Sequence, residues 1–154
     1  MAELLHRLRD TPFAPADRNV LFSLVEMTIG GSACLGRPEI DSLFAAAIAN
    51  PGVSPWVRAV LYSWHADYLW VHEMDLDAAF SALGKSLTLD PSSSHNRLKL
   101  VKLKFIAGER EKARELLLEL RGERLSVDQR KTFEELLSRL GVPEDNLAPE
   151  KLQQ

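Results

Sequence analysis

Two alanines, Ala79 and Ala113, stand thirty-four residues apart, each early in a stretch of helical spacing. The segment Met74-Asp75-Leu76-Asp77-Ala78-Ala79-Phe80 has its counterpart in Gly108-Glu109-Arg110-Glu111-Lys112-Ala113-Arg114. Recurrence at a period of roughly 20–50 residues constrains a fold strongly, because each repeat is one supersecondary unit that buries its apolar face only against its neighbours. The stretch from Leu61 to Pro91 reads as one complete helix-turn-helix. In its second half Leu76, Ala79, Phe80, Leu83 and Leu87 recur at helical spacing, and Pro91 follows Leu89-Asp90 as a stop.

The flanking sequence fits the same scheme. Leu4, Leu5 and Leu8 give 1–14 the apolar side of a short helix or a linker end, broken by Thr11-Pro12-Phe13-Ala14-Pro15. Pro15 and Asp17 suit the start of a helix carrying Val20, Leu21, Leu24 and Val25, which ends at Gly30-Gly31. A turn-rich connection containing Cys34 follows. Pro38 then opens an amphipathic helix with Ile40, Leu43, Phe44, Ala47 and Ile48 on one stripe, closed by Asn50-Pro51-Gly52. Ser54 caps a further helix with Pro55 in its first turn, apolar almost all round from Trp56 to Val71.

Between Leu98 and Phe105 apolar and basic residues nearly alternate, as in a strand. The repeat register nevertheless predicts a helix there, and a lone strand among helices would leave its backbone groups unpaired. Residues 109–120 supply the partner helix. Ser126-Val127-Asp128-Gln129 is a capping box ahead of Phe133, Leu136, Leu137 and Leu140, ended by Gly141 and Pro143. With one apolar face, this last helix suits the terminal cap that a solenoid requires. The domain expectation is therefore 1–14 as helix or linker, 15–141 as a helical repeat domain, and 142–154 as a tail.

These residues resemble the tetratricopeptide repeat family, over about Pro55 to Arg121 and more weakly from Pro15 to Pro51. The small residue early in the second helix is present as Ala79 and Ala113, the preceding turn as Met74-Asp75 and Gly108-Glu109, and the closing proline as Pro91. Asp67 and Val101 stand where the family favours glycine, Ser86 and Leu120 where it favours alanine, and Leu125 where a closing proline is expected. The resemblance implies an all-α, right-handed α-α superhelix of about three helix pairs plus a capping helix. It also implies a noncatalytic module that binds a protein or peptide on its concave face. Tyr68 occupies the position where chaperone-tail-binding members carry asparagine, so that ligand is not expected. More loosely, the pattern resembles repeat segments at the ends of large bacterial membrane proteins, some linked to glycosyl transfer. The alternative expectation is thus a soluble accessory or regulatory domain of a glycosyl or oligosaccharyl transferase.

Composition and motifs exclude much else. The 154 residues are 45% apolar and fit one core, and no apolar run approaches the ~20 residues of a membrane span. The opening Met1-Ala2-Glu3-Leu4-Leu5-His6 lacks a secretory signal pattern. A net charge of −3 argues against nucleic acid as a partner of the whole surface. The charge is divided, with 6 basic and 11 acidic residues up to Asn96, then 12 basic and 8 acidic from Arg97 to Leu140. His72-Glu73 opens a zinc-protease motif, but Leu76 stands where the second histidine belongs. Asp75 and Asp77 begin like a calcium loop that fails at Phe80 and Ser86. His65 and His72 lie about 10.5 Å apart along a helix, too far to share an ion. Cys34, the single cysteine, cannot form an internal disulfide, and no cofactor, metal or catalytic constellation is expected. Compartment and oligomeric state do not follow from these residues.

The candidate site is the concave face that the repeat register defines. It comprises Leu61, Trp64, Tyr68 and His72 on one first helix and His95, Lys102 and Phe105 on the next. Trp64 and Tyr68 suit aromatic anchors for an extended peptide or helix, with Lys102 meeting a carboxylate. The same two rings equally suit a core.

Overall fold

A computed structural model of the protein describes residues 36–142. Within them the chain is all-helical, with α1 (Arg37–Ala49), α2 (Pro55–Val71), α3 (Leu76–Leu89), α4 (Ser94–Ile106), α5 (Arg110–Glu119) and α6 (Val127–Leu140), and no strand among the described residues. The segment 1–14, the helix expected from Pro15 to Gly30, the Cys34 connection and the tail from Pro143 onward lie outside the described residues. The chain divides into two compact units, Met1–Pro91 and Ser92–Gln154, so α1–α3 belong to the first and α4–α6 to the second.

In the first unit α2 packs along α3, and α1 packs on α2. Local chemistry sets the limits of α2 and α3. The Ser54 hydroxyl accepts from the Val57 N–H at 3.3 Å with Pro55 in the first turn, and the Asp75 carboxylate accepts from the Ala78 N–H at 3.0 Å. Between the two helices Met74 adopts φ 55, a left-handed turn conformation uncommon for a residue with a side chain. Ile40, Leu43 and Phe44 of α1, Leu61 and Leu69 of α2, and Ala79 and Leu83 of α3 are buried. Burying each of the larger side chains contributes about 1.5–3 kcal/mol. Ala79, completely enclosed, leaves room for the close approach of helix to helix. Ser86, which departs from the alanine of the family pattern, is also completely buried and donates its hydroxyl to the Ala59 carbonyl of α2 at 2.6 Å. The hydroxyl therefore adds a bond between the paired helices without leaving a buried polar group unmade.

The second unit resolves the alternating stretch as helix α4. Leu98 and Val101 fall on one side and join the buried cluster with Phe105 packed against it, while Lys102 points to solvent. Periodicity over three turns thus prevails over the strand-like local pattern. α6 packs on both α4 and α5. The cluster contains Ala113, Leu117 and Leu120 together with Phe133, Leu136, Leu137 and Leu140. Val101 and Leu120, two departures from the family pattern, are thus core residues here. The capping box forms as the sequence predicts, with Ser126 and Gln129 each serving the other's backbone N–H. At the other end Gly141 takes φ 64, and the Val142 N–H reaches back to the Leu137 carbonyl at 3.1 Å. Val142, placed by the sequence reading at the head of the tail, is buried and supplies the apolar contact that accompanies this kind of helix end.

Candidate functional site

The residues expected to line a groove separate into core and surface. On α2, Leu61 is completely buried and Tyr68 is 3% exposed, so both act as packing. Trp64 is half-buried, His72 is exposed, and Val71, one turn beyond Tyr68, is exposed as well. The Tyr68 hydroxyl donates to the Glu73 carboxylate, and its ring stacks on His72 with centroids 5.5 Å apart. Burial, and then the bond to Glu73, push the Tyr68 phenol up to about 12, so it stays neutral and donating across the ordinary pH range. Within the first unit, therefore, Tyr68 and His72 are brought together, with Tyr68 as the fixed floor and His72 as the accessible surface.

Around them runs a polar network that spacing did not reveal. Arg37 donates to Asp75 at 2.7 Å and lies 3.5 Å from Asp41, while Asp41 meets His65 Nε2 at 2.7 Å. His65 in turn stacks on the buried Phe44, with centroids 4.6 Å apart. The Ala78 N–H, and after it the Arg37 guanidinium, hold the Asp75 carboxyl below the usual carboxylate range. The network ties α1 to α2 and to the turn before α3. Its members lie too far apart in sequence, 38 residues for Arg37 and Asp75, for any motif search to pair them.

On α4, His95 and Lys102 are exposed and Phe105 is half-buried. Their spacing places them on one side of the helix, with the buried Leu98 beside them. The Arg110 guanidinium lies over the Phe105 ring, 5.3 Å from its centroid. Lys104 pairs with Glu109 at 2.8 Å, and Glu109 also takes Lys112 at 2.6 Å. Those two lysines, in that order, lower the Glu109 carboxyl below its ordinary value. Among the described residues no group of three or more His, Cys, Asp or Glu side chains is arranged to hold a metal ion, and no helix is long and apolar enough to cross a membrane.

The described residues thus place aromatic, imidazole and ammonium groups at accessible positions on or beside α2 and α4. No family model, no curated protein and no solved structure matches the chain.

Proposed function

We propose that the chain is a noncatalytic interaction module of tetratricopeptide-like helix pairs, stacked as a right-handed superhelix, that takes a peptide or helix of a partner protein. The observation that carries the reading is the equivalence of two turns. Met74 and Gly108, thirty-four residues apart, both adopt positive φ, at 55 and 82, ahead of α3 and α5. Five residues after each turn residue comes a completely buried alanine, Ala79 or Ala113. A shared backbone conformation and a shared small contact at the repeat interval are what successive copies of one structural unit produce.

The accessible first-helix faces, each taken within its own unit, are the surfaces proposed for the partner: Trp64 and His72 on α2 of the first unit, and His95, Lys102 and Phe105 on α4 of the second. Half-buried aromatic side chains lose little freedom on binding and desolvate a large area, and an exposed lysine selects for an acidic ligand group. Leu61 and Tyr68 support the α2 surface from beneath.

The test compares the full chain with a Trp64→Ala, His72→Ala double variant and a Lys102→Glu variant as bait, each with an unchanged circular dichroism spectrum. A partner retained by the parent and lost by both variants supports the reading. If the same proteins bind all three baits equally, these faces are not the working surfaces.

A further inference from the structure

Within the first unit an open pocket of about 450 Å³ lies between the last turn of α1, the N-terminal half of α2 and the last turns of α3. Its volume falls in the range of roughly 300–1,000 Å³ typical of small-molecule sites. It is separate from the proposed partner face, which uses the C-terminal half of α2. Ile48 and Leu89 give it apolar walls, Arg58, Tyr62 and Lys85 line it together with Ala49 and Thr88, and among the described residues no carboxylate lines it. Arg58 and Tyr62 are one turn apart on α2 and so share a side of the helix. The Lys85 ammonium lies 5.6 Å from the centroid of the Tyr62 ring, a cation held against an aromatic face. Arg58 is only partly satisfied by the protein. Its Nη2 donates to the Asn50 carbonyl at 3.3 Å, whereas its Nε is buried and has no hydrogen-bond partner among the described residues. The Nε, enclosed by protein, is not itself open to a ligand, so what Arg58 brings to the pocket wall is the charge of its guanidinium.

We infer that this pocket binds a monoanionic organic acid, a single carboxylate carried on a compact apolar body. The carboxylate meets Arg58 and Lys85, and the apolar body rests on Ile48, Leu89 and the Tyr62 ring. Electrostatics selects the charge of the ligand. Two full cations face the pocket, but so do the carboxyl ends of α1 and α3, through Ala49 and Leu89, each equivalent to about −0.5 of an elementary charge. The sum is about +1, which compensates one carboxylate and leaves the second charge of a phosphate dianion without a counter-charge against apolar walls. The apolar walls select the body, since an inorganic anion would leave them wet. Such a carboxylate comes either from a free organic acid or from the last residue of a peptide.

The experiment is a nuclear magnetic resonance titration of the full chain with four probes: phenylacetate, its neutral amide phenylacetamide, inorganic phosphate, and a capped dipeptide ending in a free phenylalanine carboxylate. Saturable shifts at Tyr62, Thr88 and Leu89 with phenylacetate or the dipeptide are expected, and the tighter of the two identifies the source. Phenylacetamide is expected to bind about tenfold more weakly than phenylacetate, the worth of a charge-assisted hydrogen bond. Lys85→Glu, at an exposed position that leaves the Arg58 to Asn50 bond in place, is expected to abolish the preference for acid over amide. The inference is overturned if amide and acid bind equally, if phosphate binds as tightly as phenylacetate, or if neither acid saturates the site.

Discussion

Met74 carries the strain of a left-handed backbone on a side chain that is 77% exposed, so no packing offsets it. Glycine, which stands at the equivalent position 108, has no Cβ to strain but loses more freedom on folding. Met74→Gly is expected to raise stability by about 0.5–1 kcal/mol, read from the midpoint of denaturant unfolding at unchanged slope. Tyr68 makes a different prediction at the same scale. Its folded value of about 12 lies above the ordinary value of about 10, so the stability it contributes is fully present below pH ~10 and is lost as pH rises through about 12. Tyr68→Phe is expected to remove the phenolate formation seen near pH 12 in an ultraviolet titration of the parent. Residue roles were the least legible part of the sequence. The spacing that put Leu61, Trp64, Tyr68 and His72 on one helix face was sound, but spacing does not say how deep a face lies, and Leu61 and Tyr68 are core. Arg58 and Tyr62, one turn apart on α2, make no motif in the sequence, because the Lys85 that meets the Tyr62 ring arrives from another helix.

The elements were far easier to read, because their ends are set by neighbours in sequence. Ser54-Pro55, the Ser126 to Gln129 capping box and Gly141 each mark a helix limit in the folded chain, and each acts within a few residues of itself. α4 shows why a period must be judged over several turns: alternation from Leu98 to Phe105 imitates a strand, yet the buried residues Leu98 and Val101 are three apart. What the sequence hid at this scale is that the cap of α3 is shared. Asp75 serves the Ala78 N–H and Arg37 together, so one carboxylate starts α3 and fastens it to α1. Because its folded value is depressed, its contribution is present above the ordinary carboxylate range and is lost as pH falls through the folded value. Asp75→Asn keeps a capping oxygen but removes the titration. The variant is expected to be less stable than the parent at neutral pH, with the difference shrinking under acid, as measured by thermal unfolding across a pH series.

For the molecule as a whole, the period of thirty-four residues foretold an all-helical chain, and the described residues are helical throughout their regular structure. A repeat period reports the unit that recurs, which is why the hairpins were legible while the polar network joining Arg37, Asp41, His65 and Asp75 was not. Among the described residues the second unit rests on one cluster drawn from α4, α5 and α6, with Leu117 completely buried in it. Leu117→Ala is expected to cost about 2–5 kcal/mol. Since α4, α5 and α6 all lean on that cluster, amide hydrogen exchange is expected to accelerate in the three helices together. Acceleration confined to α5 would show that they do not form one cooperative unit.

The stacking of His65 on Phe44 has a practical consequence for anyone studying this protein in solution. A proton held above an aromatic ring resonates upfield, and imidazole carbon-bound protons fall in an uncrowded spectral region. Of the four histidines in the chain, His65 on Phe44 and His72 on Tyr68 both lie against rings, and the shorter separation, 4.6 Å against 5.5 Å, is expected to displace the His65 signal further. Phe44 belongs to α1 and His65 to α2, so the displacement exists only while those two helices are docked. At constant pH that resonance is therefore a built-in gauge of whether the first helix is in place, readable during a titration with ligand or denaturant.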